Sequence, residues 1–287
     1  MKRSAMNTHA SPCDLHLHSH FSDGTMSPEE LVSYGSAVGL SAVSITDHDT
    51  MDGQREAIEA GKRHGIEVLP GIEFSVEEET GEVHILGYLF DRENRALAAS
   101  LEELADARVE RARAIMVKLE ERGVSIPFDE VLAEAGKGSV GRPHVARVLY
   151  RRGLVSSVSE AFVRYLADGA PCNVPKHMLP LGAVIRLISD AGGVAVWAHP
   201  GWNVAKHDLV ERLFASGVRG LEVWHPNHSE SMVKQILDIA QRRGAVCTGG
   251  SDFHFAELMQ ADIGEVTAPY ESVAALRKAA AAGLHLA

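Results

Sequence analysis

Short apolar runs alternate with amphipathic segments over the first ninety residues of the chain. The apolar runs are bounded by turn residues and predict four strands, at Asp14–His18, Ser41–Thr46, Ile66–Glu73 and Gly81–Tyr88. A Ser-Pro-Glu-Glu sequence at Ser27 predicts a helix that ends at Gly39, and Asp52–His64 predicts a second helix. Strands that alternate with helices in this way are expected to pair in parallel.

The alternation stops between residues 91 and 168 and then resumes. Helices without an intervening strand are predicted in this interval, at Ala96–Arg122, Phe128–Ala135, Pro143–Arg152 and Ser159–Leu166. From residue 169 onward, apolar runs again alternate with helical patterns and predict strands at Val194–Ala198, Leu221–Trp224 and Ala245–Gly249. We therefore expect an α/β barrel built from residues 13–90 and 169–287, with a small all-helical insertion at 91–168 that caps the substrate and a disordered lead-in at 1–12.

The composition narrows the class of protein. No apolar run approaches the roughly 20 residues of a membrane span, and Met1–Pro12 lacks the apolar stretch of a signal peptide. Cys13, Cys172 and Cys247 are too few and too far apart for a disulfide framework, which favours a reducing cytoplasm. A formal net charge of −11 argues against binding long nucleic acid through a basic surface, and 15 histidines, against 8 Phe and 5 Tyr, favour a metal site.

Histidines and carboxylates recur at or near the ends of the predicted strands. His16 and His18 are two residues apart and point to the same face of a strand, although this pair alone is equally typical of an exposed histidine-rich turn. Together, nine side chains of ligand type reach the rim that carries the chemistry of (β/α) barrels: His16, His18, Asp23, His48, Glu73, His84, His199, Asp252 and His254. So many nitrogen and oxygen ligands suit two or three divalent ions, Mn²⁺, Zn²⁺ or Fe²⁺, with bridging carboxylates.

Clustered divalent ions indicate hydrolysis at phosphorus. They lower the pKa of a bridging water to give hydroxide, orient the phosphate and neutralise the leaving oxygen. They also supply the positive charge that this acidic chain lacks. A separate feature, Gly141-Arg142-Pro143-His144, puts an arginine at the start of a predicted helix, which is a natural seat for a phosphate. An ordinary arginine near a helix start is the alternative interpretation.

These motifs resemble those of the PHP (polymerase and histidinol phosphatase) superfamily. The resemblance covers about residues 13 to 260 and rests on Asp14-Leu15-His16-Leu17-His18, Ser22-Asp23-Gly24, Thr46-Asp47-His48-Asp49, Gly71-Ile72-Glu73, His84-Ile85-Leu86-Gly87, Ala198-His199-Pro200 and Gly250-Ser251-Asp252-Phe253-His254. It implies a distorted (β/α)₇ TIM-like barrel and a trinuclear metal centre, often of Mn²⁺, held by the nine ligands. The insertion with Arg142 resembles a bacterial branch whose members remove the 3′-phosphate of nucleoside 3′,5′-bisphosphates or trim short RNA from its 5′ end.

The resemblance also suggests roles for residues around the metal site. Arg142 and His144 would grip the second phosphate of the substrate, and Lys176, which follows the insertion, could reach the same group. The pair His228-Ser229 matches a family loop near the substrate and is expected to contact phosphate or to transfer a proton to the leaving oxygen. Among the rim residues, Asp23 and Glu73 are expected to be catalytic as well as metal-binding. Asp14 is expected to orient an imidazole from behind.

The leading hypothesis is a metal-dependent phosphoesterase that acts on a small nucleotide or a short oligonucleotide by attack of a metal-bound hydroxide. No membrane and no obligate protein partner is expected. Histidinol-phosphate phosphatase, or another phosphomonoesterase, is an alternative from the same superfamily. An amidohydrolase also begins with His-x-His, but it usually carries a lysine at a strand end, which this sequence lacks. A metal-binding barrel without turnover is the non-enzymatic alternative.

Overall fold

Seven strands form the wall of a distorted barrel in the part of the chain that the structure describes. The structure is a computed structural model and describes residues 11–79, 81–136, 138–254 and 261–283. The strands in these ranges are β1 Pro12–Leu17, β2 Ala42–Ile45, β3 Glu67–Glu78, β4 Gly81–Tyr88, β5 Leu179–Pro180, β6 Val194–Trp197, β7 Gly220–Trp224, β8 Val246–Gly249 and β9 Ala268–Pro269. Their order is β8-β7-β6-β4-β3-β2-β1-β9, and β5 and β9 are two-residue additions beside β3 and β1.

The barrel closes between β1 and the segment that follows β8. Leu17 forms a parallel bridge with Phe253. The backbone N–H of Asp252 donates to the carbonyl of His16 at 2.9 Å, and that of His18 donates to the carbonyl of Phe253 at 2.9 Å. The parallel pairing of β1 with β2 and of β2 with β3 follows the sequence prediction. The nearly closed sheet confirms the predicted distorted (β/α)₇ barrel.

The distortion arises from β4, which runs antiparallel to both of its neighbours, β3 and β6. Gly81, with φ of 127°, begins β4 opposite Glu78, the last residue of β3, so the two strands form a hairpin. This hairpin corrects the prediction that a strand ends at Glu73, because β3 continues to Glu78 and pairs along its whole second half. Phe74 and Val76 extend the apolar alternation past Glu73 and pack in the core. Glu73 is therefore buried in the middle of a strand and not at its end.

Helices cover the outside of the sheet and build the insertion. Their bounds are α1 Pro28–Ala37, α2 Gln54–His64, α3 Arg95–Glu120, α4 Phe128–Ala135, α5 Arg142–Arg151, α6 Val158–Ala161, α7 Leu181–Asp190, α8 His207–Ala215, α9 Glu230–Arg243 and α10 Glu271–Gly283. The single helix predicted at Ser159–Leu166 differs, since α6 ends at Ala161 and the chain continues as a π-helical turn at Phe162–Leu166. The sequence reading did not identify α10, which packs Val273 and Leu276 into the barrel core.

The long helix α3 connects two hydrophobic cores. Its first half packs Leu97, Leu101 and Leu104 into the core around β3 and β4. Its second half packs Ile115 and Leu119 into a separate core made with α4, α5 and α6. The buried members of this second core lie within the predicted helical insertion except Cys172, which follows it. The exact bounds of the insertion, 91 and 168, stay a prediction.

The N-terminal prediction falls mostly on residues 1–10, which lie outside the described residues. Pro12 already belongs to β1, so this strand starts two residues before Asp14, where the pattern predicted its start. Within the described ranges, no helix has the length and the apolar composition that crossing a membrane requires.

Candidate active site

The strand β1 brings His16 and His18 to the centre of a group of four ligand atoms. The Nε2 atoms of these histidines lie 3.1 Å apart. From Nε2 of His16, Glu73 Oε2 is 3.3 Å away and Asp252 Oδ1 is 3.2 Å away. From Nε2 of His18, both oxygens are at 3.2 Å. Ligand atoms bound tetrahedrally at the usual 2.0–2.1 Å of Zn²⁺ lie about 3.3 Å from one another, so these four atoms have the spacing of a metal site.

Two further groups of ligand type adjoin the first one. In one group, Asp23 Oδ1 lies 3.2 Å from His254 Nε2 and 3.9 Å from both His18 Nδ1 and His48 Nε2. In the other, Glu73 Oε2 lies 3.1 Å from His48 Nδ1.

The carboxylate of Glu73 lies at the junction of these groups. Its second oxygen, Oε1, lies 2.9 Å from His84 Nδ1 and 3.1 Å from His199 Nε2. The three groups, together with the contact of Glu73 to His199, contain all nine rim residues that the sequence suggested. Each pair of groups shares one residue, which is His18, His48 or Glu73.

Two atoms of the cluster support the interpretation that it binds cations. Asp23 Oδ1 and His48 Nδ1 are buried, yet neither makes a hydrogen bond of acceptable geometry in the described chain. Buried polar atoms normally have a partner. Burial lowers the pKa of His48 to about 3, which keeps the ring in the neutral form that binds metals. Burial alone would raise the pKa of Glu73, but the imidazoles of His48 and His84 hold it well below its usual value.

The loops that carry these ligands have unusual backbone conformations. Asp49, His199 and Asp252 have φ values of 52°, 28° and 51°, in the left-handed region that residues with a Cβ atom seldom adopt. Each of them follows a barrel strand, β2, β6 and β8 respectively. Such strain persists where the surrounding structure fixes it, and it often accompanies a functional site.

Two buried carboxylates that the sequence reading did not single out hold the site from behind. Glu222, in the middle of β7, accepts a hydrogen bond from His16 Nδ1 at 2.9 Å and another from the backbone N–H of His199 at 2.6 Å. It therefore orients one ligand directly and the loop of another. Asp47 accepts hydrogen bonds from Ser19 and Ser22 in the loop that leads to Asp23. A charged residue inside an apolar strand, as in Leu-Glu-Val-Trp, is the signal that could have identified Glu222.

Asp14 has a different role from the one expected. Its carboxylate accepts hydrogen bonds from the backbone N–H groups of Ser251 at 3.0 Å and Gly264 at 3.1 Å. It thus fixes the loop after β8 and not an imidazole ring. His225, which follows β7, is buried, and its Nε2 lies 3.2 Å from Asp252 Oδ2. It is a further nitrogen at the edge of the cluster.

A cavity of about 410 Å³ opens from one edge of the cluster, where Asp23, His48 and His84 are exposed to it. The rest of its wall is rich in cationic side chains, which are Arg108, Arg111, Arg142 and Lys176. The two cations that the sequence suggested are held by different parts of the chain. Lys176 contacts Ser75 on the barrel, whereas Arg142 donates to the carbonyl of Leu166 on the insertion at 3.0 Å.

The two further cations of the cavity come from the helix α3. Arg108 pairs with Asp49, and Arg111 donates from Nε to the carbonyl of Val174 at 2.8 Å. Burial, together with the charges of Arg142 and Arg108, lowers the pKa of Arg111 to about 10. The like charges in this wall are therefore close enough to repel one another. An anion in the cavity would relieve that repulsion.

Three other residues that were predicted to contact the substrate do not line the cavity in this structure. His144 is buried, and its Nδ1 accepts a hydrogen bond from the backbone N–H of Gly141 at 2.9 Å. His228 donates from Nδ1 to the carbonyl of Val223 at 2.9 Å and accepts at Nε2 from the backbone N–H of Gly201 at 3.1 Å. Ser229 caps the exposed start of α9. For these residues, the substrate roles suggested by the sequence stay predictions.

The fold and the site together define a barrel protein with three adjacent groups of side chains that could hold divalent metal ions. The PHP domain family matches residues 14–135. Over 246 residues, which cover 84% of this chain, the sequence is 37% identical to a 3′,5′-nucleoside bisphosphate phosphatase of Chromobacterium violaceum, of which 86% is covered. Over the same share of this chain, it is 36% identical to a 5′-3′ exoribonuclease of Haemophilus influenzae, of which 89% is covered. The chain belongs to the PHP family and is a phosphoesterase, which confirms the family and the enzyme class expected from the sequence.

Two solved structures share the fold of this chain. A Bifidobacterium adolescentis protein described as a metal-dependent phosphoesterase superposes with a TM-score of 0.85 at 32% identity, over 93% of this chain and 96% of that one. An amidohydrolase from Chromobacterium violaceum, solved with bound sulfate and no metal, superposes with a TM-score of 0.81 at 33% identity, over 92% of this chain and 96% of that one.

Proposed function

We propose that this chain hydrolyses a phosphate ester of a small nucleotide that carries more than one phosphate group. The proposed substrates are nucleoside 3′,5′-bisphosphates, which would lose the 3′-phosphate, and short 5′-phosphorylated oligoribonucleotides. The observation that carries the proposal is the cavity that joins the imidazole–carboxylate cluster to four cationic side chains. The names of the relatives, a nucleoside bisphosphate phosphatase and a 5′-3′ exoribonuclease, support the same substrate class.

The reacting phosphate would lie at the barrel side of the cavity. There, Asp23, His48 and His84 form the edge of the cluster, and Lys176 lies beside Glu82 and Ser75. When bound, divalent ions would supply an activated water and neutralise the charge of the phosphate oxygens. Lys176 would donate to a non-bridging oxygen of the same phosphate.

The second phosphate would lie at the insertion side, against Arg142. The guanidinium of Arg142 pairs with Asp168 at 2.8 Å, but Asp168 is 86% exposed. Such an exposed pair is weak and is readily exchanged for a better anion. A phosphate can accept two parallel hydrogen bonds from an arginine, which gives geometric selectivity as well as binding energy. Arg111 and Arg108 would keep the potential positive between the two phosphate positions.

The identity of the metal is also a proposal. The nine ligands are nitrogen and oxygen atoms without a thiolate, and this set suits Mn²⁺ with bridging carboxylates, whereas Zn²⁺ and Fe²⁺ also accept it. We propose two or three Mn²⁺ ions in the three ligand groups. The three cysteines are free, which supports the proposal of a reducing compartment such as the cytoplasm.

A turnover panel tests the proposed function. The purified protein is assayed with Mn²⁺ and with a chelator against adenosine 3′,5′-bisphosphate, 5′-phosphorylated di- to pentaribonucleotides and histidinol phosphate. We expect chelator-sensitive release of phosphate or nucleotide from the first two classes. Preference for histidinol phosphate would replace the proposed substrate class with the alternative from the same superfamily. Bound metal with no turnover of any substrate would support a non-catalytic barrel instead.

A further inference from the structure

The cavity has one apolar wall, which is made by residues of the insertion. Apart from Phe162, Pro143 and Gly141, the described residues that line the cavity carry charged, hydroxyl or imidazole groups. Phe162 is half-buried, so part of its ring packs on the insertion core and part of it faces the cavity. A phenylalanine of this kind would usually be buried completely in the core, whereas here part of the ring is left at the edge of a cationic cavity. It suggests contact with a flat apolar group of the ligand.

The backbone around Phe162 couples this ring to the phosphate-binding arginine. The π-helical turn Phe162–Leu166 is closed by a hydrogen bond from the N–H of Ala167 to the carbonyl of Phe162 at 2.8 Å. At the other end of the turn, the carbonyl of Leu166 accepts a hydrogen bond from Arg142 at 3.0 Å. Single π-helical turns are rare and frequently lie at functional sites. Here, one turn fixes both the aromatic wall and the proposed seat of the second phosphate.

We propose that Phe162 is the platform on which the nucleobase of the substrate stacks. This inference rests on the proposed function, because it assigns the base of the same nucleotide to a named wall of the same cavity. With one phosphate at the metal cluster and the other at Arg142, the base remains as the flat, weakly polar part of the substrate. Phe162 and Pro143 provide the apolar surface that fits it. Because every base has a π-face, the platform predicts weak discrimination among the four bases.

The test compares a substrate with and without a base. The substrates are adenosine 3′,5′-bisphosphate and methyl ribofuranoside 3,5-bisphosphate, in which a methoxy group replaces the base. The variants are Phe162→Ala, Phe162→Leu, which keeps most of the packing volume, and Phe162→Trp, which keeps an aromatic face. Val163→Ala is the matched control, because Val163 belongs to the same turn but is 78% exposed and does not line the cavity.

We expect Phe162→Ala and Phe162→Leu to lower kcat/KM for the nucleotide by about tenfold or more, which is the usual scale of a lost base–aromatic stack. Phe162→Trp should retain the activity of the wild type. Activity on the methyl riboside should be the same in all variants, and this result also shows that the variants fold. An equal loss on both substrates would overturn the inference and assign Phe162 to packing alone, and so would no loss on either.

A binding measurement separates this inference from the proposed function. Calorimetric titration of the Mn²⁺-loaded protein with adenosine 5′-monophosphate and with ribose 5-phosphate does not depend on turnover. We expect Phe162→Leu to weaken binding of the nucleotide and to leave binding of the sugar phosphate unchanged. If the wild type hydrolyses neither bisphosphate, the proposed function fails. The affinities would still show whether the nucleobase stacks on Phe162. Equal affinities of the wild type for both ligands would contradict it.

Discussion

Replacing Arg142 with alanine should change which substrates are hydrolysed more than how fast the chemistry proceeds. In the structure, Arg142 bonds the carbonyl of Leu166 at 3.0 Å and the exposed carboxylate of Asp168 at 2.8 Å. The carboxylate of Asp168 is already exposed to solvent, so removal of the arginine costs little free energy there. The variant therefore loses mainly the hydrogen bonds from the guanidinium to the second phosphate.

A hydrogen bond to a charged group contributes about 1.5–3 kcal/mol net. Arg108, Arg111 and Lys176 would still keep the cavity positive in the variant, so we take a value of about 2 kcal/mol, which corresponds to roughly 30-fold in kcat/KM. The loss should apply to adenosine 3′,5′-bisphosphate and not to adenosine 3′-monophosphate, which lacks the second phosphate. The ratio of the two kcat/KM values should thus fall by roughly 30-fold.

The assay is phosphate release at saturating Mn²⁺ with both substrates. Arg113→Ala is the matched control, because Arg113 lies on the same helix as Arg108 and Arg111 but points away, over the ring of Phe128. The control should leave the ratio unchanged. An equal fall on both substrates would refute the reasoning, because it would mean that Arg142 supports the site as a whole. An unchanged ratio would likewise remove Arg142 from the second-phosphate site.

Three further predictions follow from the site. Glu73→Gln should lower the metal content and should lower the activity by about 100-fold, because a neutral amide replaces the carboxylate that two of the three ligand groups share; Glu77→Gln, exposed on the same strand, should lower neither. Glu222→Gln should weaken metal binding by about 10- to 100-fold, measured by competition with a chelating dye, since Glu222 orients His16; unchanged affinity would contradict this. Burial lowers the pKa of His144 to about 4, so the unfolded chain takes up its proton at higher pH. Lowering the pH from 7 to 5 should therefore reduce the free energy of unfolding by about 2 kcal/mol more in the wild type than in His144→Asn, and parallel urea-unfolding profiles would rule this out.

The nine candidate ligands could be predicted from the sequence because they come in short motifs next to apolar strands. His16 lies in β1 and His18 follows directly after it, and Asp252 and His254 follow β8. In a barrel, the carboxyl ends of parallel strands meet at one rim, so residues that follow these strands come close together. The fold class is predictable for the same reason.

The remainder of the site depends on long-range packing that local patterns do not reveal. Glu222 belongs to an apolar strand and acquires its partner, His16, only when the barrel closes and brings β7, the neighbour of β8, close to β1. Arg108 and Arg111 have the spacing of ordinary solvent-exposed helix charges. They line the cavity only because the helix α3 packs against the barrel. The start of β4 at Gly81 was predicted correctly, but its antiparallel pairing was missed because β3 was expected to end at Glu73, whereas it continues to Glu78 and pairs with β4.

The most direct test of the account is the identity of the product formed from adenosine 3′,5′-bisphosphate. In the proposed binding mode, the reacting phosphate lies at the imidazole–carboxylate cluster and the retained phosphate lies against Arg142. Chromatography of the Mn²⁺-dependent reaction should therefore show adenosine 5′-monophosphate and inorganic phosphate in equal amounts, and the chelator should abolish both. Adenosine 3′-monophosphate as the product, or turnover that persists in the chelator, would contradict the account.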